Sequence, residues 1–135
     1  MTHEETMDGL ARRIAELRKD WAMVGMTMTD REMGVVWHRT LLPGSVVGCW
    51  QCEYGFDTKS QERESFERAR PNGPEWRHAV TALGLLALLP DVEVKMRSNG
   101  WNVEESNGYD HDTQPTYGTR EEAILRAVVA HLEAK

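Results

Sequence analysis

The chain has little cysteine, fewer bases than acids, and no long apolar run. Cys49 and Cys52 are the only cysteines among 135 residues, too few to staple a fold with disulfides. They form a single CxxC, Cys49-Trp-Gln-Cys52. A zinc site needs two more ligands, usually a second CxxC or a spaced histidine pair. His38, His78, His111 and His131 are scattered and provide no such spacing. A redox pair normally sits where a helix N-terminus lowers the thiol pKa, and no helix signal starts at Cys52. Two ordinary reduced cysteines are therefore expected, with no metal and no cofactor.

The apolar residues of 83–89 fall far short of a membrane span. Lys and Arg number 16 against 22 Asp and Glu, a formal net charge of −6. That balance works against nonspecific attraction to nucleic acid or an anionic membrane. No phosphate-binding glycine loop, Ser–His–Asp ordering or defined pair of carboxylates occurs, so no enzymatic activity is expected. The first residues do not read as a secretory leader, and a cytoplasmic location is the expectation.

What is present reads as one α+β domain over residues 1–135. It should be an antiparallel sheet with a C-terminal hairpin (91–106) and helices packed mainly on one face. Met7, Leu10, Ala11, Ile14 and Leu17 share a helical face within 4–20. Residues 29–56 are open to two readings, helical or stranded. Thr29 with Glu32 fits a capping box, whereas Val35, Val36, Trp37 and Thr40 favour a strand. Alternation predicts a strand over 46–54, after a turn at Pro43-Gly44. The polar stretch 57–73 is a solvated short helix or a loop, with Phe66 and Ala69 as its inward candidates.

Asn72 as a cap and Pro74 at the first helical position predict a helix running to Pro90. Trp76, Val80, Leu83 and Ala87 form its stripe, and its second half is apolar nearly all round, as in a buried helix. Asn99-Gly100 is a strong hairpin signal. A two-residue loop there sets Ser98 opposite Trp101, Met96 opposite Val103 and Val94 opposite Glu105. Thr119 with Glu122 fits a capping box for a last helix carrying Ile124, Leu125, Val128 and Leu132.

Two resemblances carry functional implications. Arg13 to Val24, Thr29 to Gly34 and Gly44 to Gly48 look like the three helices of a helix-turn-helix, which would imply a DNA-binding regulator. The third segment, 45–56, has no Lys or Arg to anchor phosphate or read guanine. Trp101-Asn-Val103, a polar loop, Thr119 and Ala123-Ile-Leu-Arg-Ala127 resemble the small phage sandwich domain built from helix, sheet and helix. That resemblance spans about half of the chain and implies a phage or mobile-element origin, with no chemistry to carry over.

The acids cluster late in the chain. Glu104, Glu105, Asp110, Asp112, Glu121 and Glu122 fall within nineteen residues, against Arg120 alone. Asp110-His111-Asp112 reads as a solvated loop. Glu104, Glu105, Asp110, Asp112 and Glu121 are the expected contact residues for a protein partner with a basic surface. Direct DNA binding and membrane binding are not expected. The expected function is non-enzymatic: binding and inhibiting a host protein complex, as an anti-defence, anti-CRISPR-like protein and nucleic-acid mimic. The helix-turn-helix regulator and the CxxC module are the alternatives. If the acids are not the interface, the aromatic segment from Trp37 to Phe56 is the next expectation.

Overall fold

Helix α1 spans His3–Leu17 in the computed structural model, which describes residues 1–18, 24–41, 48–52, 54–89, 91–105 and 115–134, Glu105 by its backbone alone. Thr2 caps α1 by accepting from the Glu5 N–H at 3.2 Å. Met7, Ala11 and Ile14 recur at helical spacing and are fully buried. The helix ends at Leu17, where Arg18 turns to extended backbone.

The ambiguous middle of the chain is a sheet. Strands β1 (Thr27–Asp30), β2 (Val35–Leu41) and β3 (Gly48–Cys52) run antiparallel in the order β1-β2-β3. Met28, Trp37 and Cys52 align across it on one face, with Thr27, His38 and Gln51 on the other. The Thr29 and Glu32 pair caps no helix. Instead Asp30 Oδ1 accepts from the Glu32 N–H at 3.1 Å, and Gly34 takes φ +71°, closing a turn between β1 and β2. The helix-turn-helix reading finds no helix in its described parts: Thr29 to Gly34 is the end of β1 and a turn, and 48–52 is strand β3. The expected Pro43-Gly44 turn lies outside the described residues.

The outer edge of β1 is covered. The Glu75 N–H donates to Thr27 O at 2.7 Å, Asn72 Nδ2 to Thr29 O at 3.0 Å, and the Thr27 N–H to Thr81 Oγ1 at 2.9 Å. An open strand edge invites further pairing, and these bonds remove the invitation.

Helix α2 spans Lys59–Ala69, capped by Thr58 accepting from Gln61 N–H at 3.1 Å. Ser65 and Ala69 are buried and Phe66 partly so. A 3-10 turn, Arg70–Asn72, leads into Gly73 at φ +76°. A Cβ on Gly73 would stand 1.9 Å from Ala11 O, so only glycine lets this segment cross α1.

The helix predicted from Pro74 begins later, as α3 (Ala79–Leu85), followed by a 3-10 turn Leu86–Leu88. Residues 72–78 are diverted by their bonds to β1 and by the Trp76 indole, which donates to Asp8 at 2.9 Å. The face of α3 is also reversed from the expectation. Thr81, Ala82 and Leu85 are buried, while Val80 and Leu83 are half exposed, so the helix is not buried all round.

Strands β4 (Val92–Arg97) and β5 (Gly100–Glu105) form the C-terminal hairpin. Its register differs from the expected one by two residues: Met96 faces Trp101, Val94 faces Val103 and Val92 faces Glu105. The loop is Ser98-Asn99. Gly100 serves instead a close approach, because Tyr117 lies against β5 through paired backbone bonds with Trp101 at 2.7 and 2.8 Å. A Cβ on Gly100, whose φ is +143°, would stand 2.6 Å from Tyr117 O.

Helix α4 (Arg120–Glu133) starts at Thr119, whose hydroxyl accepts from Glu122 N–H at 3.2 Å. It packs on α1 and on both strands of the hairpin. Ile124, Leu125 and Val128 join Met7, Ala11, Ile14, Met28, Trp37 and Leu85 in one core, to which Val94 and Val103 add the inner hairpin face. The result is one α+β domain with two small antiparallel sheets. Among the described residues no helix is long and apolar enough to cross a membrane.

Candidate partner-binding groove

Of the acids expected to form a surface, the side chains of Glu104 and Glu121 are among the described ones. Glu104 is buried on β5, where it accepts from Arg97 Nε at 2.7 Å and lies 3.6 Å from Lys95 Nζ. Glu121 is partly exposed beside Arg120, at 3.3 Å. Asp110, Asp112 and the Glu105 side chain lie outside the described residues.

A groove of about 280 Å³ opens elsewhere, where three segments meet. The β1–β2 turn contributes Glu32 and Met33. The link from β3 to α2 contributes Tyr54, Phe56 and Asp57. One row of α2, spaced by three and four residues, contributes Gln61, Glu64 and Arg68. Its aromatic wall is anchored from beneath. Phe56 stacks on the buried Trp37 ring, with centroids 5.7 Å apart, and Trp37 meets Phe66 edge-on at 5.4 Å. Tyr54 leans edge-on against Phe56 at 5.5 Å and remains half exposed. Tyr54 also borders a more open depression of about 360 Å³ with Val36, His38 and Cys52.

Among the described residues the groove's one cation is already committed. Arg68 donates through Nε and Nη2 to the Asp30 carboxylate at 3.2 and 3.0 Å, and its Nε lies 3.4 Å from Glu32. Burial alone would raise the Asp30 carboxyl. The bonds from Arg68, the Ser65 hydroxyl and the Met33 N–H outweigh it and hold the carboxyl below its ordinary value. Ser65 also accepts from the Trp37 indole at 3.3 Å, tying this ion pair to the aromatic wall. Glu32, Asp57 and Glu64 are exposed around the rim. With Asp30 cancelling Arg68, the lining carries an excess of negative charge beside apolar rings.

A second polar cluster is structural. Asp8 Oδ1 accepts from Arg31 at 2.6 Å and from the Trp76 indole at 2.9 Å, joining α1, the β1–β2 turn and residue 76. Burial would raise this carboxyl too, but the Trp76 and Arg31 bonds prevail and lower it. Cys49 and Cys52 lie in β3 with their side chains on opposite faces of the sheet, pairing with Thr40 and Trp37 respectively. No group of three or more metal-ligating side chains occurs among the described residues.

Sequence reasoning reached Tyr54 and Phe56 through their aromatic segment but missed Glu32, Glu64 and the Asp30–Arg68 pair. The available signal was the polar row Gln61, Glu64 and Arg68 on α2; nothing local pointed from Arg68 to Asp30. Comparison with protein-family models, curated proteins and solved structures returns no match to this chain.

Proposed function

We propose that this chain is a non-enzymatic binding module that docks a basic surface of a partner protein in the groove beside Tyr54. The observation that carries the reading is the groove's composition: exposed carboxylates of Glu32, Asp57 and Glu64 next to a pre-anchored aromatic wall, with Arg68 neutralised by Asp30. Rigid aromatics supply contact area with little ordering cost, and complementary charge speeds and orients encounter. The formal net charge of −6 adds long-range attraction to such a partner. A protein of this kind can block a face that otherwise holds nucleic acid, which is the form in which the inhibitor reading is retained. A phage origin rests on the resemblance carried by Trp101–Val103, the polar loop after it, Thr119 and Ala123–Ala127.

The test is a heteronuclear NMR titration with short Lys- and Arg-containing peptides, using Glu-containing peptides as controls. The basic peptides are expected to shift amides of Glu32, Tyr54, Asp57 and Glu64, and less so as salt rises. Shifts confined to the hairpin, or none, would overturn the proposal.

A further inference from the structure

Two arginines of this chain are held in the same way. Arg77 lies over the Trp76 ring, 4.3 Å from its centroid, while its Nη1 donates to Glu75 at 3.1 Å. Arg126 lies over Tyr117 at 4.9 Å while its Nε donates to Glu122 at 2.8 Å. Each site combines an aromatic face with a carboxylate. A planar guanidinium satisfies both at once, stacking on the ring and donating in its own plane, which a compact ammonium cannot do.

The groove holds the same two parts, an aromatic face and carboxylates, while Arg68 is engaged by Asp30 and, at 3.4 Å from its Nε, by Glu32. Tyr54 is half exposed at its mouth, and the carboxylates of Glu32, Asp57 and Glu64 stand around it. Arg68 is turned to Asp30. No cation lies over Tyr54 among the described residues. We infer, resting on the partner-binding reading above, that the groove receives an arginine side chain of the partner, stacked on Tyr54 and hydrogen-bonded to the rim carboxylates. Lysine meets the same charge but forfeits the stacked, in-plane geometry.

The experiment compares two capped pentapeptides, acetyl-Gly-Arg-Gly-Arg-Gly-amide and its lysine counterpart, titrated by NMR into the parent and into Tyr54→Ala. The arginine peptide is expected to bind the parent about three- to tenfold more tightly. In Tyr54→Ala the two peptides should bind alike, with their salt dependence retained. Because Tyr54 is half exposed, the variant should keep the parent's dispersed spectrum. Equal affinities in the parent would overturn the arginine inference while leaving the basic-partner reading in place. An arginine preference that survives Tyr54→Ala would overturn it as well. If neither peptide reaches the groove, both readings fail together.

Discussion

Arg68 reaches Asp30 across thirty-eight positions of chain and grips both carboxylate oxygens, at 3.2 and 3.3 Å from Nε and 3.0 Å from Nη2. Asp30 is fully buried, whereas Arg68 is one-third exposed. The pair therefore does two things. It ties α2 to the end of β1, and it withdraws the positive charge of Arg68 from any ligand in the groove.

Replacing Asp30 should show both effects. Asp30→Ala is expected to cost about 3 kcal/mol, because it breaks a buried, multiply bonded ion pair. It should also weaken binding of basic peptides, since Arg68 then faces the groove uncompensated. Denaturant midpoints and peptide titrations check the two effects separately. A stability loss under about 0.5 kcal/mol, the size of an ordinary surface change, would contradict the structural role.

Acid stability follows from the same carboxyls. Asp30 and Asp8 are both held below the ordinary aspartate value of 3.8. A depressed carboxyl contributes its stability in full above the ordinary value and loses it as the pH falls through the folded value. The melting temperature should therefore hold down to about pH 5 as far as these groups are concerned, and fall below about pH 4. The double variant Asp8→Asn, Asp30→Asn should start lower and fall less steeply. A parent as stable at pH 2.5 as at pH 6 would rule this out.

Three glycines should behave differently. A Cβ on Gly9 meets nothing within 4 Å in α1, so Gly9→Ala should stabilise by about 0.5–1 kcal/mol. Gly73→Ala forces a Cβ into Ala11 O and should cost more than an alanine substitution at any other described glycine. Gly100→Val meets Tyr117 O and an unfavourable φ, for an expected loss of about 1–3 kcal/mol. Thermal melts rank the three, and a neutral Gly73→Ala would disprove the crossing of α1 described above.

Cys49 and Cys52 should not join. Three strand steps set their Cα atoms about 10 Å apart, beyond the roughly 7 Å a disulfide tolerates. Mild oxidation followed by intact-mass measurement should show no two-dalton loss within the monomer. Formation of that disulfide in the folded protein would place β3 wrongly.

The elements with local signals were legible in the sequence. Thr119 and the Ile124–Val128 stripe marked α4, and alternation marked β3. The hairpin was legible in kind but not in register, because Gly100 answers to Tyr117, seventeen residues on, rather than to the turn. The start of α3 was hidden for a similar reason: Glu75 and Asn72 bond β1, and propensity at Pro74 cannot express that demand. The groove was the least legible feature. Glu32, Tyr54 and Glu64 belong to three segments brought together only by the packing of α2 on the β1–β2 turn. Within the acid-rich run that starts at Glu104, the burial of Glu104 against Arg97 and Lys95 was equally hidden, because it depends on pairing across the hairpin.

The most direct test neutralises the rim. In Glu32→Gln, Asp57→Asn, Glu64→Gln, all three sites are exposed, so the fold should melt close to the parent. Its affinity for the arginine pentapeptide should fall about tenfold or more, and the remaining binding should lose most of its salt dependence. The matched control, Glu5→Gln with Glu93→Gln and Glu121→Gln, should bind as the parent does. Unchanged affinity in the rim variant, or a loss in the control instead, would contradict the groove as the binding surface.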